Sequence, residues 1–424
     1  MSFGSELLAG ICGGPVAGPA GPLRHIAEIP ARSARPGHWP AWVSPEVRQA
    51  VAGLGIAAPW THQGAAAELA RSGHDVVVST GTASGKSLAF QLPILDALTR
   101  DPRARALYLS PTKALGHDQL RAAHTLCASV PSLADVAPTA YDGDTPQEIR
   151  AFARERSRWL FSNPDMLHVS LLANHPRWAV FLRGLRFVVI DECHCYRGIF
   201  GSNVAMVLHR LLRLCRRYAP DGGPGPTVIF ASATTASPGA TAARLIGRPV
   251  TEITEDGSPH GARTVALWEP ELLADLRGEN GAPVRRSAGA EAARMMADLV
   301  TEGARTLTFV RSRRGAELTA MRARARLEEI APALTDSVAS YRAGYLAEDR
   351  RALERALADG ELRGLATTNA LELGIDIAGL DAVLLAGFPG TVASFWQQAG
   401  RSGRRGQGAL VVLIARDDPL DTYL

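Results

Sequence analysis

Short, almost wholly apolar runs recur along the chain, at 76–78, 106–109, 187–190 and 228–230, each closed by a loop of small or polar residues and followed by a stretch of helical character. Continuous apolar runs that alternate with helices belong to parallel strands covered on both faces. A second series follows at 306–310, 338–341, 364–366, 382–385 and 409–414. The segment 255–289 lies between them, dense in Gly, Pro and charge, and reads as a connector despite a strand-like run at 265–268. Residues 1–22 are rich in Gly, Ala and Pro, with no basic region or long apolar stretch. They are expected to be disordered and to be neither signal peptide nor membrane span. The pattern thus predicts an α/β protein with two domains, 23–254 and 290–424, each a parallel sheet flanked by helices, joined by 255–289.

Length supports that division, because 424 residues exceed the usual size of one core. Hydrophobic residues make up 46% and charged ones 21%, the profile of a globular enzyme and not of a disordered or fibrous chain. A net charge of +4 does not by itself indicate a polyanionic partner. Five cysteines without paired CxxC spacing suggest a reduced, cytoplasmic protein. Cys193, His194 and Cys195 are too close in sequence to wrap a tetrahedral ion, so no metal cluster is expected there. Lysine usage is more telling. Of 46 basic residues only Lys86 and Lys113 are Lys, and both fall in the motifs below. Arg dominance suits a GC-rich coding bias, but Lys is a compact point charge where Arg is a planar fork, so these two positions point to chemistry.

TGTASGKS at 80–87 follows the first apolar run and opens a helix, the context a phosphate-binding loop needs. Thr82, Ser84 and Gly85 lend the loop backbone to the phosphates, Lys86 reaches the β and γ oxygens, and the Ser87 hydroxyl is a ligand for Mg²⁺. Thr80 and Ala83 stand where the strict pattern and many relatives have Gly. Downstream, the run ending at 190 leads directly into Asp191 and Glu192, two carboxylates at the end of a buried strand, where ligands gather in open α/β sheets. Asp191 is expected to hold Mg²⁺ and Glu192 to activate the attacking water. Far downstream, QQAGRSGR at 397–404 supplies Gln397 and two candidate arginine fingers, Arg401 and Arg404, to neutralise charge on a transferring phosphoryl group.

With these residues the chain resembles a superfamily 2 helicase of the DEAD/DEAH type with a DECH box. The resemblance rests on WTHQ at 60–63, the phosphate loop, SPTK at 110–113, DECH at 191–194, SAT at 232–234, ATTN at 366–369, GID at 374–376 and the GRSGR motif, in that order. It implies two RecA-like domains, Mg-ATP as the nucleotide, Gln63 on the adenine side, Asp376 near the ribose and γ-phosphate, and Ser232 and Thr234 coupling hydrolysis to lobe closure. It also places Pro111, Thr112, Lys113, Asp142, Gly143, Asn163, Pro164, Arg342, Thr367 and Thr368 in motifs that hold a nucleic-acid strand. Small hydroxyls, turns and a few cations grip phosphate and sugar without reading bases; for Asn163, Thr367 and Thr368 a cap or turn role stands equally open. Phe395 and Trp396 read as core residues before base-stacking ones. YDGDT at 141–145, SNPDMLH at 162–168, YRGIFG at 196–201 and YRAGY at 341–345 resemble a narrower group, the Hrq-type and mitomycin repair factor helicases. That group implies 3′→5′ movement on single-stranded or tailed duplex DNA in repair. It also implies a cysteine-rich zinc-binding domain, expected to be missing from a chain that stops at Leu424. RNA as the polymer, or a binding subunit with little turnover, remain the alternatives.

Lys86→Arg should abolish ATP turnover although charge is kept. A guanidinium in the tight ring of loop amides displaces the γ-phosphate, and about 1 Å of misplacement costs roughly a hundredfold in rate. Paired measurements of ADP affinity and turnover test this, and near-parental hydrolysis would reduce the placement of lysine to coding bias.

Overall fold

The computed structural model describes residues 2–12, 21–219, 223–277, 281, 283–342, 344–372, 379–403 and 406–423. Numbered along the chain, the strands begin with β1 (Leu23–Ile29), which belongs to the second of two large sheets. The first sheet comprises β2 (Val76–Ser79), β3 (Arg105–Leu109), β4 (Thr139–Ala140), β5 (Trp159–Ser162), β6 (Leu185–Ile190), β7 (Thr227–Ser232) and β8 (Thr251–Ile253). Their order is β4-β5-β3-β6-β7-β2-β8, and every pairing is parallel.

Alternation along each strand explains the continuous apolar runs. Val76, Val78, Tyr108, Phe161 and Val189 pack on one face, beneath helices Pro45–Gly53, Thr61–Arg71, Ser87–Arg100 and Lys113–Ala128. Val77, Leu107, Leu160, Val188 and Phe230 pack on the other, beneath Gly198–Tyr218 and Pro238–Ile246. In the inner strands both faces are buried and polar side chains gather towards the ends, the Tyr108 hydroxyl inside β3 being an exception.

The second sheet has the order β1-β9-β16-β15-β12-β14-β13, where β9 is Arg263–Trp268, β12 Thr306–Phe309, β13 Val338–Tyr341, β14 Gly364–Thr367, β15 Ala382–Ala386 and β16 Ala409–Ile414. It is parallel except at β1, which pairs antiparallel with β9. A separate hairpin joins β10 (Leu272–Arg277) to β11 (Pro283–Arg285). Two parallel-dominated α/β layers of the RecA-like kind are thus present, as the hydrophobic pattern predicts.

The boundaries differ from the sequence reading. One compact unit is Ala34–Ser258; the other combines Met1–Ser33 with Pro259–Leu424. Disorder over 1–22 is corrected for its first half: Phe3–Cys12 is a helix with Leu7, Leu8 and Ile11 buried against Ala266, Met295 and Val412. The 3, 7, 8, 11 spacing of its apolar residues is helical, but the surrounding Gly and Ala concealed it. Residues 13–20 lie outside the described residues. β1, assigned by sequence to the first domain, belongs with the second. The strand-like run within the 255–289 connector is β9, an inner strand with Val265, Ala266 and Trp268 buried.

Leu8, fully buried, gives a direct test. Leu8→Ala should destabilise this unit by about 2–5 kcal/mol in urea denaturation, whereas a disordered leader would leave the transition where it was.

Candidate functional site

Parallel register carries the motifs to one edge of the first sheet. Ser79 pairs with Ser232, Phe230 with Ile190, Ile190 with Leu109 and Leu109 with Ser162. The residues that follow, Thr80, Ala233, Asp191, Ser110 and Asn163, therefore stand in a row at the carboxyl ends of the strands, where ligands bind in such sheets.

The loop after β2 is shaped from behind. Gln63 Nε2 donates to Gly85 O at 2.8 Å and Ser84 O at 3.4 Å, and His62 Nε2 bonds Ser84 O at 3.1 Å. Each carbonyl shares a peptide plane with the following N–H and points opposite to it. Pulling the carbonyls of Ser84 and Gly85 back thus aims the amides of Gly85 and Lys86 forward. Gln63 is buried, and its Oε1 accepts from Trp60 N at 2.7 Å, so its amide ties the loop to the start of helix Thr61–Arg71. Gly85 has φ +74°, and a β-carbon there would stand 2.6 Å from Gln63 Nε2. Ala83 adopts φ +61°, a conformation Gly would hold without strain. Ser84 is buried, sharing a hydrogen bond with Thr80 Oγ1 at 2.7 Å, while Thr82 and Ser87 are half-exposed. Lys86 Nζ donates to Gly81 O at 2.9 Å and Thr80 O at 3.2 Å.

Asp191 is buried at the end of β6. Its Oδ2 accepts from the Tyr108 hydroxyl and its Oδ1 from Glu192 N at 2.8 Å. Burial and the neighbouring Glu192 carboxylate push its carboxyl up to about 6, while Tyr108, the Glu192 amide and the Lys86 charge favour the ionised form. Burial and the Asp191 charge in turn push the Tyr108 hydroxyl up, which keeps it the donor. Glu192 sits at φ +47°, ψ 42°, a left-handed conformation strained for a side chain of its size. His194 Nδ1 accepts from Ala233 N at 3.2 Å and lies 3.3 Å from Glu192 Oε2, linking the DECH box to the SAT segment. Since Nδ1 accepts an amide proton the ring is neutral, so the Glu192 contact becomes an ion pair only on protonation. Ser232 is buried, its Oγ donating to Ala233 O at 2.8 Å, whereas Thr234 is exposed.

Along the same edge, Thr112 caps helix Lys113–Ala128, with Pro111 half-buried before it, and Lys113 Nζ meets Asp144 Oδ2 at 2.7 Å. That contact holds the Asp144 carboxyl below its ordinary value. Asp142 is buried, accepting from Asp144 N at 2.9 Å and Thr145 Oγ1 at 3.2 Å, and so shapes the turn carrying Gly143. Asn163 caps a short turn through Met166 N at 2.9 Å, and Pro164 is buried as its first residue. For Thr112 and Asn163 the capping role is thus occupied.

In the other unit, Thr367 closes β14, Thr368 follows it and Arg342 follows β13 at the corresponding sheet edge. Thr368 accepts from Ala370 N at 3.5 Å, and buried Thr367 Oγ1 has no hydrogen-bond partner among the described residues. Arg342 pairs with Glu317 at 2.8 Å and lies over the Tyr345 ring. Arg401 is buried, its Nη2 donating to the Glu372 carbonyl; Ser394 and Gln398 hold the Glu372 carboxylate at 2.6 and 2.9 Å. Gln397 and Phe395 are buried too, and Trp396 packs edge-on against Phe395. Asp376 and Arg404 lie outside the described residues.

Tyr108, His62 and Asp256, whose Oδ2 accepts from Gly81 N at 3.2 Å, were missed by sequence reasoning. A tyrosine inside an apolar run looks like core; the signal available was that a buried hydroxyl needs a partner. Among the described residues no helix is long and apolar enough to cross a membrane.

Residues 60–241 match the DEAD/DEAH box helicase family and residues 291–406 the helicase conserved C-terminal domain. The chain is 41% identical to the ATP-dependent helicase HRQ1 of Saccharomyces cerevisiae over 95% of its own length and 37% of that protein. It is 37% identical to the uncharacterized ATP-dependent helicase YprA of Bacillus subtilis, over 94% of this chain and 51% of the other. The DUF1998 helicase MrfA bound to DNA and AMPPNP superposes with a TM-score of 0.87 at 36% identity, covering 99% of this chain and 56% of that one. The chain therefore spans about half, or less, of these relatives.

A carboxylate holds a cation only when ionised, and the Tyr108 hydrogen bond favours that form of Asp191. Tyr108→Phe should therefore move the acidic limb of ATP turnover to higher pH and weaken turnover at limiting Mg²⁺ by roughly tenfold, the worth of about 1.5 kcal/mol for a hydrogen bond to a charged group. An unchanged pH profile would show that Tyr108 only packs.

Proposed function

Because the chain belongs to the DEAD/DEAH box helicases, with the conserved C-terminal helicase domain following the DEAD/DEAH half, we propose that it is an ATP-driven DNA helicase or translocase. It converts ATP to ADP and phosphate while moving 3′→5′ along single-stranded or tailed duplex DNA, in DNA repair. The observation that carries this reading is the meeting, at one sheet edge, of a loop with its amides aimed forward and a buried Asp191, braced by Tyr108, with half-buried Glu192 beside it.

The residues fit Mg-ATP. Gly81 N–H already holds a carboxylate oxygen, so the loop attracts anions. The Ser87 hydroxyl and Asp191 carboxylate are hard oxygen donors suited to a small dication. Mg²⁺ bound by these two groups would supply positive charge against the phosphates. Lys86 exchanges the carbonyls of Thr80 and Gly81 for phosphate oxygens, and the amides of Gly85 and Lys86 supply fixed donors. Glu192 takes the proton of the attacking water. Arg401 and Arg404 act from the second lobe; for Arg401 this means releasing the Glu372 carbonyl. Asp376 serves the ribose side, and Ser232 and Thr234 carry the change to the rest of the lobe. The strand is held at Pro111 to Lys113, the Asp142–Gly143 turn, Asn163–Pro164, Arg342, Thr367 and Thr368, largely through phosphate and sugar. MrfA bound to DNA, so similar over nearly the whole chain, supports DNA as the polymer.

Measuring ATP hydrolysis with single-stranded DNA, with RNA and with neither should give the highest rate with DNA; equal stimulation by RNA would favour an RNA motor, and none a binding subunit. Glu192→Gln should keep nucleotide and strand binding while turnover falls about 10²–10⁴-fold, because the amide keeps the shape but cannot accept a proton. Near-normal turnover would remove Glu192 from its role.

A further inference from the structure

The chain passes between its two units at 33/34 and again at 258/259. The passages are paired: Arg35 N donates to Gly257 O at 2.8 Å, and Arg32 and His260 exchange backbone hydrogen bonds at 2.9 and 3.1 Å. The second passage is also tied to the phosphate loop through two side chains. Asp256 Oδ2 accepts from Gly81 N at 3.2 Å, while its Oδ1 accepts from Ser258 N at 2.9 Å and Ser258 Oγ at 2.7 Å. Fully buried His62 accepts Gly257 N–H on Nδ1 at 3.1 Å. That bond leaves Nε2 to carry the proton, so the 3.1 Å contact to Ser84 O is a donation. The imidazole is thus a rigid two-ended spacer between a loop carbonyl and the passage backbone. A β-carbon on Gly257 would collide with Thr61 Oγ1 and crowd Arg35 O, so Gly is what allows so close an approach.

We propose that His62 and Asp256 are positioning residues that couple the phosphate loop to the 256–258 passage. When phosphates draw on the loop amides, the Ser84 and Gly81 peptides adjust, and the shift passes through imidazole and carboxylate to the backbone that leads into the other unit. Strand binding acts on nucleotide affinity through the same link in reverse, since the coupling of two binding free energies is reciprocal, and it alters turnover by changing the loop geometry that the nucleotide meets. Neither side chain touches a reacting atom in this scheme. The inference rests on the reading of the chain as a DNA-stimulated ATPase.

The test is the ratio of kcat at saturating ATP with and without saturating single-stranded DNA, measured on this chain. General loosening of the loop lowers both rates and cancels in the ratio. His62→Gln keeps a donor for Ser84 O but loses the acceptor for Gly257, and His62→Asn does the reverse. Each should lower the ratio about fivefold or more, as should Asp256→Ala, the range expected of a coupling free energy. Asp256→Asn offers one acceptor oxygen in place of two and should give the same direction if a His62 variant does not fold. A full ratio in His62→Gln or in both Asp256 variants would overturn the link. A parent chain that hydrolyses ATP without DNA stimulation would overturn the functional reading instead, and this inference with it.

Discussion

In a parallel sheet every strand delivers its carboxyl end to the same edge, and the first unit of this protein depends on that constraint more than on any single bond. The pairing of Ser79 with Ser232 and of Leu109 with Ile190 brings segments far apart in sequence to one line. A slip of one residue in β6 would turn Val188 and Ile190 onto the wrong face and carry Asp191 away from Tyr108. The cores on both faces, with Val77 and Val188 on one and Val76 and Val189 on the other, forbid such a slip.

On this frame the unit supports groups that are costly taken alone. Asp191 is buried beside a second carboxylate, and Glu192 is held in a left-handed conformation of the kind that costs about 1–3 kcal/mol. The compensations are local and specific. Tyr108, protonated because it is buried, donates to Asp191, the Glu192 amide adds a second donor, and the Lys86 charge lies near enough to matter. Strain gathered at two adjacent residues while the strands around them are regular is the signature of a site shaped for chemistry.

The second unit follows the same physics with the chain's two ends combined. Helix Phe3–Cys12 packs on the layer beside β16, β1 covers the outer edge of β9, and Glu372 gathers Ser394, Gln398 and Arg401 into one polar knot. Pairing with β1 satisfies the outer backbone groups of β9 and leaves the seven-residue β1 as the sheet's edge.

Much of this was legible in the sequence alone. The buried strands announce themselves as apolar runs because both faces are covered, and the phosphate loop and the Asp191–Glu192 pair are visible because their chemistry tolerates few residue types. Strands Thr139–Ala140 and Thr251–Ile253 were not seen, being too short for a period, and the inner strand Trp159–Ser162 was missed as well, its four residues running directly into the polar SNPDMLH segment. Membership of the first 33 residues in the second unit was not legible either, since composition reports local preference and β1 acquires its place only by pairing with Trp268 and its neighbours, more than 230 residues away. Tyr108, His62 and Asp256 were silent for a related reason. A buried tyrosine, a histidine beside a motif glutamine and a carboxylate in a connector carry no spacing of their own. Their partners, Asp191, Ser84 and Gly81, are set by packing in three dimensions, and only the folded chain decides which donor meets which acceptor.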